Sequence, residues 1–320
     1  MGTKNDCFYV SVNEMSDFIQ SPLNYTGGKY RLLPQILPLF PSGIDTFVDL
    51  FCGGGNVGCN VRCNHVIFND INRNVVRLLE MFRDMEKDNI LDTIDSLIEK
   101  YELSRVSKNG YKYYSCESET GVGAYNKSKF LQLREDFNRE KPPYGNKYYA
   151  MLYVLIVYSF NNQIRFNSKG EYNLPVGKRD FNYKMENKLS MFMDRIKSIS
   201  CSFAYKDFRH LNVAMLGDED FVYCDPPYLI TCATYNEQGL WGENEERALL
   251  NKLDELNNAN IKFALSNVLR SKGKENGILL DWIKSNPRFR CINLDYNYAN
   301  SNYQVKDKLS KSEEVLIINY

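Results

Sequence analysis

Phe221-Val222-Tyr223-Cys224 is an apolar run that stops at Asp225-Pro226-Pro227-Tyr228. The run reads as a short buried strand. Two prolines cannot continue a hydrogen-bonded ladder, so the chain must turn there. In an α/β sheet such a turn lies at the carboxyl edge of the strands, where ligands bind. A second strand, residues 44–50, runs directly into Phe51-Cys52-Gly53-Gly54-Gly55-Asn56-Val57-Gly58, and a third, residues 66–70, ends in Asp70. Further strands are expected at 199–204, 261–267, 291–295 and 314–320. Helical spacing appears from Val75, Leu78, Leu79 and Phe82 onward to about residue 101, and again at 148–160, 191–196 and 248–256. Strands alternating with helices predict an α/β fold.

Composition sets wide limits. The chain has 320 residues, 43% hydrophobic and 25% charged, enough for one large domain or two. Forty basic and forty acidic residues cancel, so total charge announces no nucleic-acid partner. Local charge is more telling: residues 164–188 carry a net +3 and residues 211–260 a net −8, which makes the middle of the chain the better candidate to meet phosphates. Nine scattered cysteines form no Cys-x-x-Cys pair, and only two histidines are present, so no zinc site is expected. The cysteines read as reduced thiols of a cytoplasmic protein. The first residues lack a basic region followed by an apolar run, so no signal peptide is expected. No stretch of eighteen apolar residues predicts a membrane span.

The residues at the strand ends suggest a chemistry. After β-strand 221–224 the turn offers a carboxylate (Asp225), a free carbonyl (Pro226) and a flat ring (Tyr228). That set suits a planar base with an exocyclic amine, which Asp225 and the Pro226 carbonyl can hold while Tyr228 stacks. An ordinary strand-to-loop turn would look the same in isolation. Gly53-x-Gly55-x-x-Gly58 fits a dinucleotide fingerprint, yet Asp49 just before it disfavours a pyrophosphate and favours an amino group. Asp70 can bridge ribose hydroxyls or cap the next helix. Asp207 and Phe208, after strand 199–204, can meet the amine and ring of an adenine, or simply end a strand. Residues 104–146 crowd Tyr, Lys, Asn, Ser and Gly, as suits stacking and phosphate contact or a surface loop. Residues 160–177 read as a hairpin turning at Asn167-Ser168-Lys169-Gly170. Arg165 there can fork onto guanine, and Phe160 or a neighbour can wedge between base steps. Residues 231–241, with Thr234, Tyr235 and Trp241, could close over a flipped base.

Together these motifs resemble those of D12-class, Dam-like DNA adenine-N6 methyltransferases, over roughly residues 20–320. Asp225-Pro226-Pro227-Tyr228 resembles the family's catalytic motif. Asp49-x-Phe51-x-Gly53-x-Gly55 resembles its glycine loop, and Asp70-Ile71-Asn72 its ribose motif. Tyr25-Thr26-Gly27-Gly28-Lys29 is similar to its N-terminal cofactor motif. The segment from Asn161 to Gly177 looks like its DNA-recognition hairpin. The resemblance implies that Tyr25, Lys29, Asp49, Phe51, Gly53, Gly55, Asp70, Asp207 and Phe208 border S-adenosylmethionine, with Asp225, Pro226, Pro227 and Tyr228 catalytic and no metal. It implies DNA contacts at Phe160, Asn161, Arg165 and Pro175.

The motif order is the family's alpha arrangement. It implies a Rossmann-like methyltransferase sheet in residues 1–85 and 195–320, with residues 86–194 an inserted helical and β-hairpin target-recognition domain. The expected activity is methylation of adenine N6 in a short duplex DNA site, with base flipping and direct transfer. Partners would be double-stranded DNA and, in a restriction–modification setting, an endonuclease for the same site. Two positions depart from readers of GATC: Asn24 replaces a Lys, and Gln163 replaces a Leu. Both remain candidate DNA contacts, and they leave the target open. Methylation of RNA or of a protein amide, and a DNA-binding module without catalysis, are the alternatives.

Overall fold

The computed structural model describes residues 18–25, 27–231, 241–295 and 312–320. Among them eight strands form one sheet: β1 (Ile44–Asp49), β2 (Cys63–Asn69), β3 (Cys201–Ala204), β4 (Phe221–Cys224), β5 (Lys262–Ser271), β6 (Lys274–Glu275), β7 (Arg290–Leu294) and β8 (Glu313–Ile318). The order is β3-β2-β1-β4-β5-β8-β7, with β6 a short hairpin arm on β5. Strands β3, β2, β1, β4 and β5 run parallel, and β8 pairs antiparallel with both β5 and β7. From β1 the chain winds outward to β2 and β3, then returns to β4 on the other side. The carboxyl ends of β1 and β4 therefore flank the topological switch point, where such sheets form a ligand crevice.

The apolar runs follow from burial on both faces. In β4, Phe221 and Tyr223 enter one core, while Val222 and Cys224 enter the other. β8 divides likewise, with Leu316 and Ile318 on one side and Val315 and Ile317 on the other. Helices α8 (Glu243–Asn258) and α9 (Gly277–Ser285) cover the second face. The first face is deeper. It carries α2 (Arg73–Asp84) and α7 (Tyr183–Ser198), and beyond them α3 (Lys87–Lys100), α5 (Gly123–Arg139) and α6 (Asn146–Tyr158) in one continuous core. Tyr149 through Tyr158 of α6 are all buried, because α2, α3 and α5 surround it. A helix enclosed in this way is apolar all round, and each buried Leu or Ile contributes about 1.5–3 kcal/mol.

Two expectations change. The helix expected from Val75 to about residue 101 is two helices, broken where Met85 and Glu86 turn extended. α2 buries Leu78, Leu79 and Phe82, and α3 buries Ile90, Ile94 and Leu97 against α6, so one straight rod could not serve both contacts. The polar stretch 104–146 is helical too, as α4 (Val106–Tyr113), bent at Gly110, and α5. Phe130, Leu133 and Phe137 give α5 a narrow apolar stripe that its polar composition hides. The remaining helix, α1 (Leu33–Ile36), is a single turn between two 3₁₀ turns. Among the described residues no helix is long and apolar enough to cross a membrane. The seven described cysteines are free thiols.

Candidate active site

β1 ends at Asp49, and the glycine loop follows it as a series of turns rather than as a helix. The helix N-terminus on which a pyrophosphate would rest is therefore missing from this loop. Asp49 Oδ2 instead accepts the Gly58 N–H at 3.0 Å. A Cβ at residue 58 would run into the Phe68 ring, so only glycine lets the loop close on Asp49. The glycines also make room for the protein's own N-terminal segment. Asn56 Oδ1 accepts the Ser21 N–H at 2.9 Å, laying residues 19–25 across the loop. Gly53, at φ +47°, lies where a Cβ would sit 2.9 Å from the Tyr25 ring. Gly55 shapes the turn but does not reach the cavity described below.

Asp70, at the end of β2, is tied in place by two backbone amides. Its Oδ2 accepts from Gly53 N–H at 2.9 Å and its Oδ1 from Asn72 N–H at 2.8 Å. The cap of α2 is Asn72, whose side chain accepts from Asn74 N–H, so Asp70 is left facing the loop.

Across the switch point, Asp225 follows β4. Its Oδ1 accepts from Lys29 Nζ at 2.8 Å and from the Tyr228 hydroxyl at 3.0 Å. Its Oδ2 takes no hydrogen bond among the described residues. Lys29 is 3% exposed and spends its ammonium on the Gly27 carbonyl (2.8 Å), Asp225 and Glu314 (3.5 Å). It also lies 5.0 Å above the Tyr228 ring. Glu314, on β8, accepts from the Tyr228 hydroxyl at 3.2 Å. Sequence reasoning missed Glu314: it reads as the polar start of a strand, and its partners are remote in the chain.

Of these groups, Asp49, Asp70, Lys29, Asp225 and Tyr228 line one cavity of about 660 Å³, with Glu314 behind it. Asn24, Tyr25, Lys29, Asp49, Phe51, Gly53, Asp70, Asp207, Phe208 and the whole Asp225–Tyr228 turn border it. At the end near β3, Phe51, Phe208 and Trp241 form an aromatic trio with ring centroids 5.5–5.7 Å apart. Asp207 caps the turn after β3 through Arg209 N–H, and its other oxygen pairs with the Arg209 guanidinium at 2.7 Å. Thr234 and Tyr235 lie outside the described residues. Among the described residues no cluster of His, Cys, Asp or Glu could hold a metal ion.

The cavity favours cations. Burial pushes the Asp49 carboxyl up to about 8, against the pull of the Gly58 amide, and Asp225 and Asp70 add repulsion. Burial raises Asp70 as well, opposed by its two amide donors. Asp225 and Glu314 are both raised by burial, with Lys29 pulling each back. Tyr25 is raised, first by the neighbouring Asp70 charge and then by burial, and stays a neutral phenol.

The expected hairpin is present as two isolated bridges, Ser159–Val176 and Phe166–Tyr172, rather than as full strands. Asn167 Oδ1 closes its tip by accepting from Lys169 and Glu171 N–H. Arg165 lies along the hairpin, with Nε donating to Asn173 Oδ1 at 2.9 Å. Phe160 is 51% exposed, and its N–H donates to the carbonyl of Pro175, itself an exposed residue. Gln163 accepts at its carbonyl from the Tyr172 hydroxyl. Asn24 Nδ2 donates to the Asn161 carbonyl at 2.8 Å, and Ile164 borders the cavity, so the hairpin base docks at the cavity rim.

Residues 25–300 match the model of D12 class N6 adenine-specific DNA methyltransferases. The chain is 40% identical over 317 residues to the type II methyltransferase M.FokI of Planomicrobium okeanokoites, covering 97% of this chain and 44% of that protein. It is 41% identical over 318 residues to the modification methylase StsI of Streptococcus sanguinis, again 97% of this chain and 44% of the other. Against the DNA adenine methylase of Escherichia coli K12 the identity is 29% over 216 residues, 67% of this chain and 66% of that one. The chain thus spans less than half the length of the first two relatives. The match runs from the Tyr25 turn through the Asp225 turn, the two segments that meet at the switch point, and the chain belongs to the D12 class of N6 adenine-specific DNA methyltransferases.

Proposed function

We propose that this chain transfers a methyl group from S-adenosylmethionine to N6 of adenine in a short duplex DNA sequence. The observation that carries the reading is the half-used carboxylate of Asp225: Oδ1 is anchored by Lys29 and Tyr228, while Oδ2 is left for an amine. The cavity's other features fit the cofactor. Asp49 offers a buried acid to an ammonium group, and Asp70 turns toward the loop as a ribose partner would. The aromatic trio, with Phe51 and Phe208, offers a flat apolar wall to an adenine ring, with Asp207 beside it.

Held by Asp49, Asp70 and the Phe51–Phe208 wall, the cofactor would supply an electrophilic methyl carbon on a sulfonium, with the neutral thioether as leaving group. The chain's own part is alignment and charge placement. Stacked bases are out of reach, so the target must leave the duplex. Tyr228 stacks on it. Asp225 Oδ2 and the Pro226 carbonyl each accept from the amine, turning its lone pair toward the methyl, while Pro227 holds the turn rigid. The surplus proton leaves after methylation through Asp225 to water.

Residues 86–194 serve as the target-recognition insert, and residues 1–85 and 195–320 as the catalytic domain. Phe160, Asn161, Gln163, Arg165 and Pro175 meet DNA from the hairpin, with Asn24 bracing its base. Relatives named as modification methylases support a setting in which an endonuclease cuts the same site.

Single-molecule sequencing of DNA from a methylation-deficient host expressing the chain tests this. N6-methyladenine in one short motif is expected. Unmodified adenine alongside folded, cofactor-binding protein would overturn the reading in favour of RNA or a protein amide.

A further inference from the structure

Glu314 belongs to none of the motifs that carry the family resemblance, yet it is 5% exposed and touches both groups that anchor Asp225. Its neighbour Glu313 points outward and pairs with Arg270 at 2.9 Å, as an ordinary strand-end acid does. Glu314 points inward, where an unpaired carboxylate is costly. Its partners are the Tyr228 hydroxyl at 3.2 Å and the Lys29 ammonium at 3.5 Å. One ammonium and one phenol thus serve two carboxylates. The Tyr228 proton is shared between Asp225 and Glu314, and so is the Lys29 charge.

The sharing has a chemical consequence. A carboxylate fully paired with an ammonium is a weak acceptor for anything else. Lys29 and Tyr228 contact Asp225 directly, at 2.8 and 3.0 Å, but Glu314 draws on the same charge and the same proton from 3.5 and 3.2 Å, which keeps electron density at Asp225 Oδ2. The Tyr228 ring is also tied at its hydroxyl from two sides, which fixes its plane. We propose that Glu314 is a positioning residue for methyl transfer, dividing the Lys29 charge so that Asp225 stays a strong acceptor and locking the Tyr228 ring at the target base. This rests on the functional reading above. The titratable groups facing the pair are Lys29 from the N-terminal turn, Asp49 from β1, Tyr223 and Cys224 from β4, and Tyr228. Of these only Lys29 is a cation, so Glu314 decides how much of that charge Asp225 receives.

Glu314→Gln keeps the shape and an oxygen for Tyr228 but removes the charge. Its kcat on duplex DNA is expected to fall roughly 10- to 100-fold, the scale of one charged hydrogen bond. KM for DNA and Kd for S-adenosylmethionine should change by less than about twofold. The acid limb of the kcat–pH profile should move to lower pH, because Asp225 then receives the whole Lys29 charge. Carbon-13 carboxyl NMR of the free protein should show the Asp225 midpoint falling by about half a unit or more. A merely structural Glu314 would lower rate and stability while leaving both midpoints in place.

The unmutated protein provides a second test. Asp225 and Glu314 should titrate as a coupled pair, each resonance moving in two steps. Independent single-step curves, or an unmoved Asp225 midpoint in folded Glu314→Gln, overturn the proposal. An unmutated protein that methylates no DNA overturns the functional reading instead, and the NMR midpoints still decide the sharing of charge.

Discussion

Lys29 Nζ lies 2.8 Å from Asp225 Oδ1, so the turn before α1 and the turn after β4 meet in a single buried ion pair. The Gly27–Lys29 turn and the Asp225–Tyr228 turn are therefore one electrostatic unit. Lys29→Met strands Asp225 and Glu314 without a cation. Breaking a buried pair costs about 3–5 kcal/mol, and the partial exposure of Asp225 puts the loss at the low end of that range. Urea unfolding should show it. The loss should be larger at pH 8 than at pH 5, since the stranded carboxyls are already raised by burial and protonate readily in acid.

Asp225→Ala removes the acceptor but leaves the hairpin untouched. Methyl transfer should disappear, while a mobility-shift assay still detects DNA binding. Turnover retained in this variant would defeat the mechanism.

If the cofactor's ammonium docks at Asp49 as proposed, its binding should release a proton. Its carboxyl is raised to about 8 by burial, so it is largely protonated at pH 7 in the free protein. An ammonium group docking against it would favour the charged form and expel the proton. Titration calorimetry at pH 7 should find close to one proton released per S-adenosylmethionine, read from the dependence of enthalpy on buffer. Asp49→Asn should abolish the release. The same shift bears on stability with the opposite sign from an ordinary salt-bridged acid. Between the unfolded pKa and about 8 the native state holds the extra proton, so this group lowers stability as pH rises through that window.

What could be read in the sequence followed burial. β4 is enclosed on both faces and its unbroken apolar run announced it, while β1 was marked by the apolar residues Phe47 and Val48 leading to the acid at its end. Asp49, Asp70 and Asp225 were legible because each terminates such a run at the carboxyl edge. α5 was not, since its buried stripe of Phe130, Leu133 and Phe137 is diluted by solvated residues. Glu314 was illegible for another reason. A strand-end acid looks solvated, as Glu313 is, and only the pairing of β8 with β5 carries Glu314 to Lys29 and Tyr228. The role of the glycine run was half visible. Conformational freedom was evident, but that Tyr25 takes up the space beside Gly53 depends on a tertiary contact.

Arg165 separates two accounts of the hairpin. Its Nε donates to Asn173 Oδ1 at 2.9 Å and its Nη2 to the Asn173 carbonyl at 3.4 Å, which lays the guanidinium along the hairpin. On exchanging its Asn173 contacts for DNA, the guanidinium can fork onto guanine, whereas a lysine at the same place keeps the charge and loses the two-pronged geometry. Arg165→Lys should therefore retain salt-dependent binding to arbitrary DNA. It should relax discrimination at one base position by about 1–3 kcal/mol. Sequencing the methylated sites of the variant would show that relaxation as new motifs differing from the original at that single position. If instead the motif stays unchanged and only the melting temperature falls, Arg165 braces the hairpin through Asn173, and base reading lies with Asn161 and Gln163.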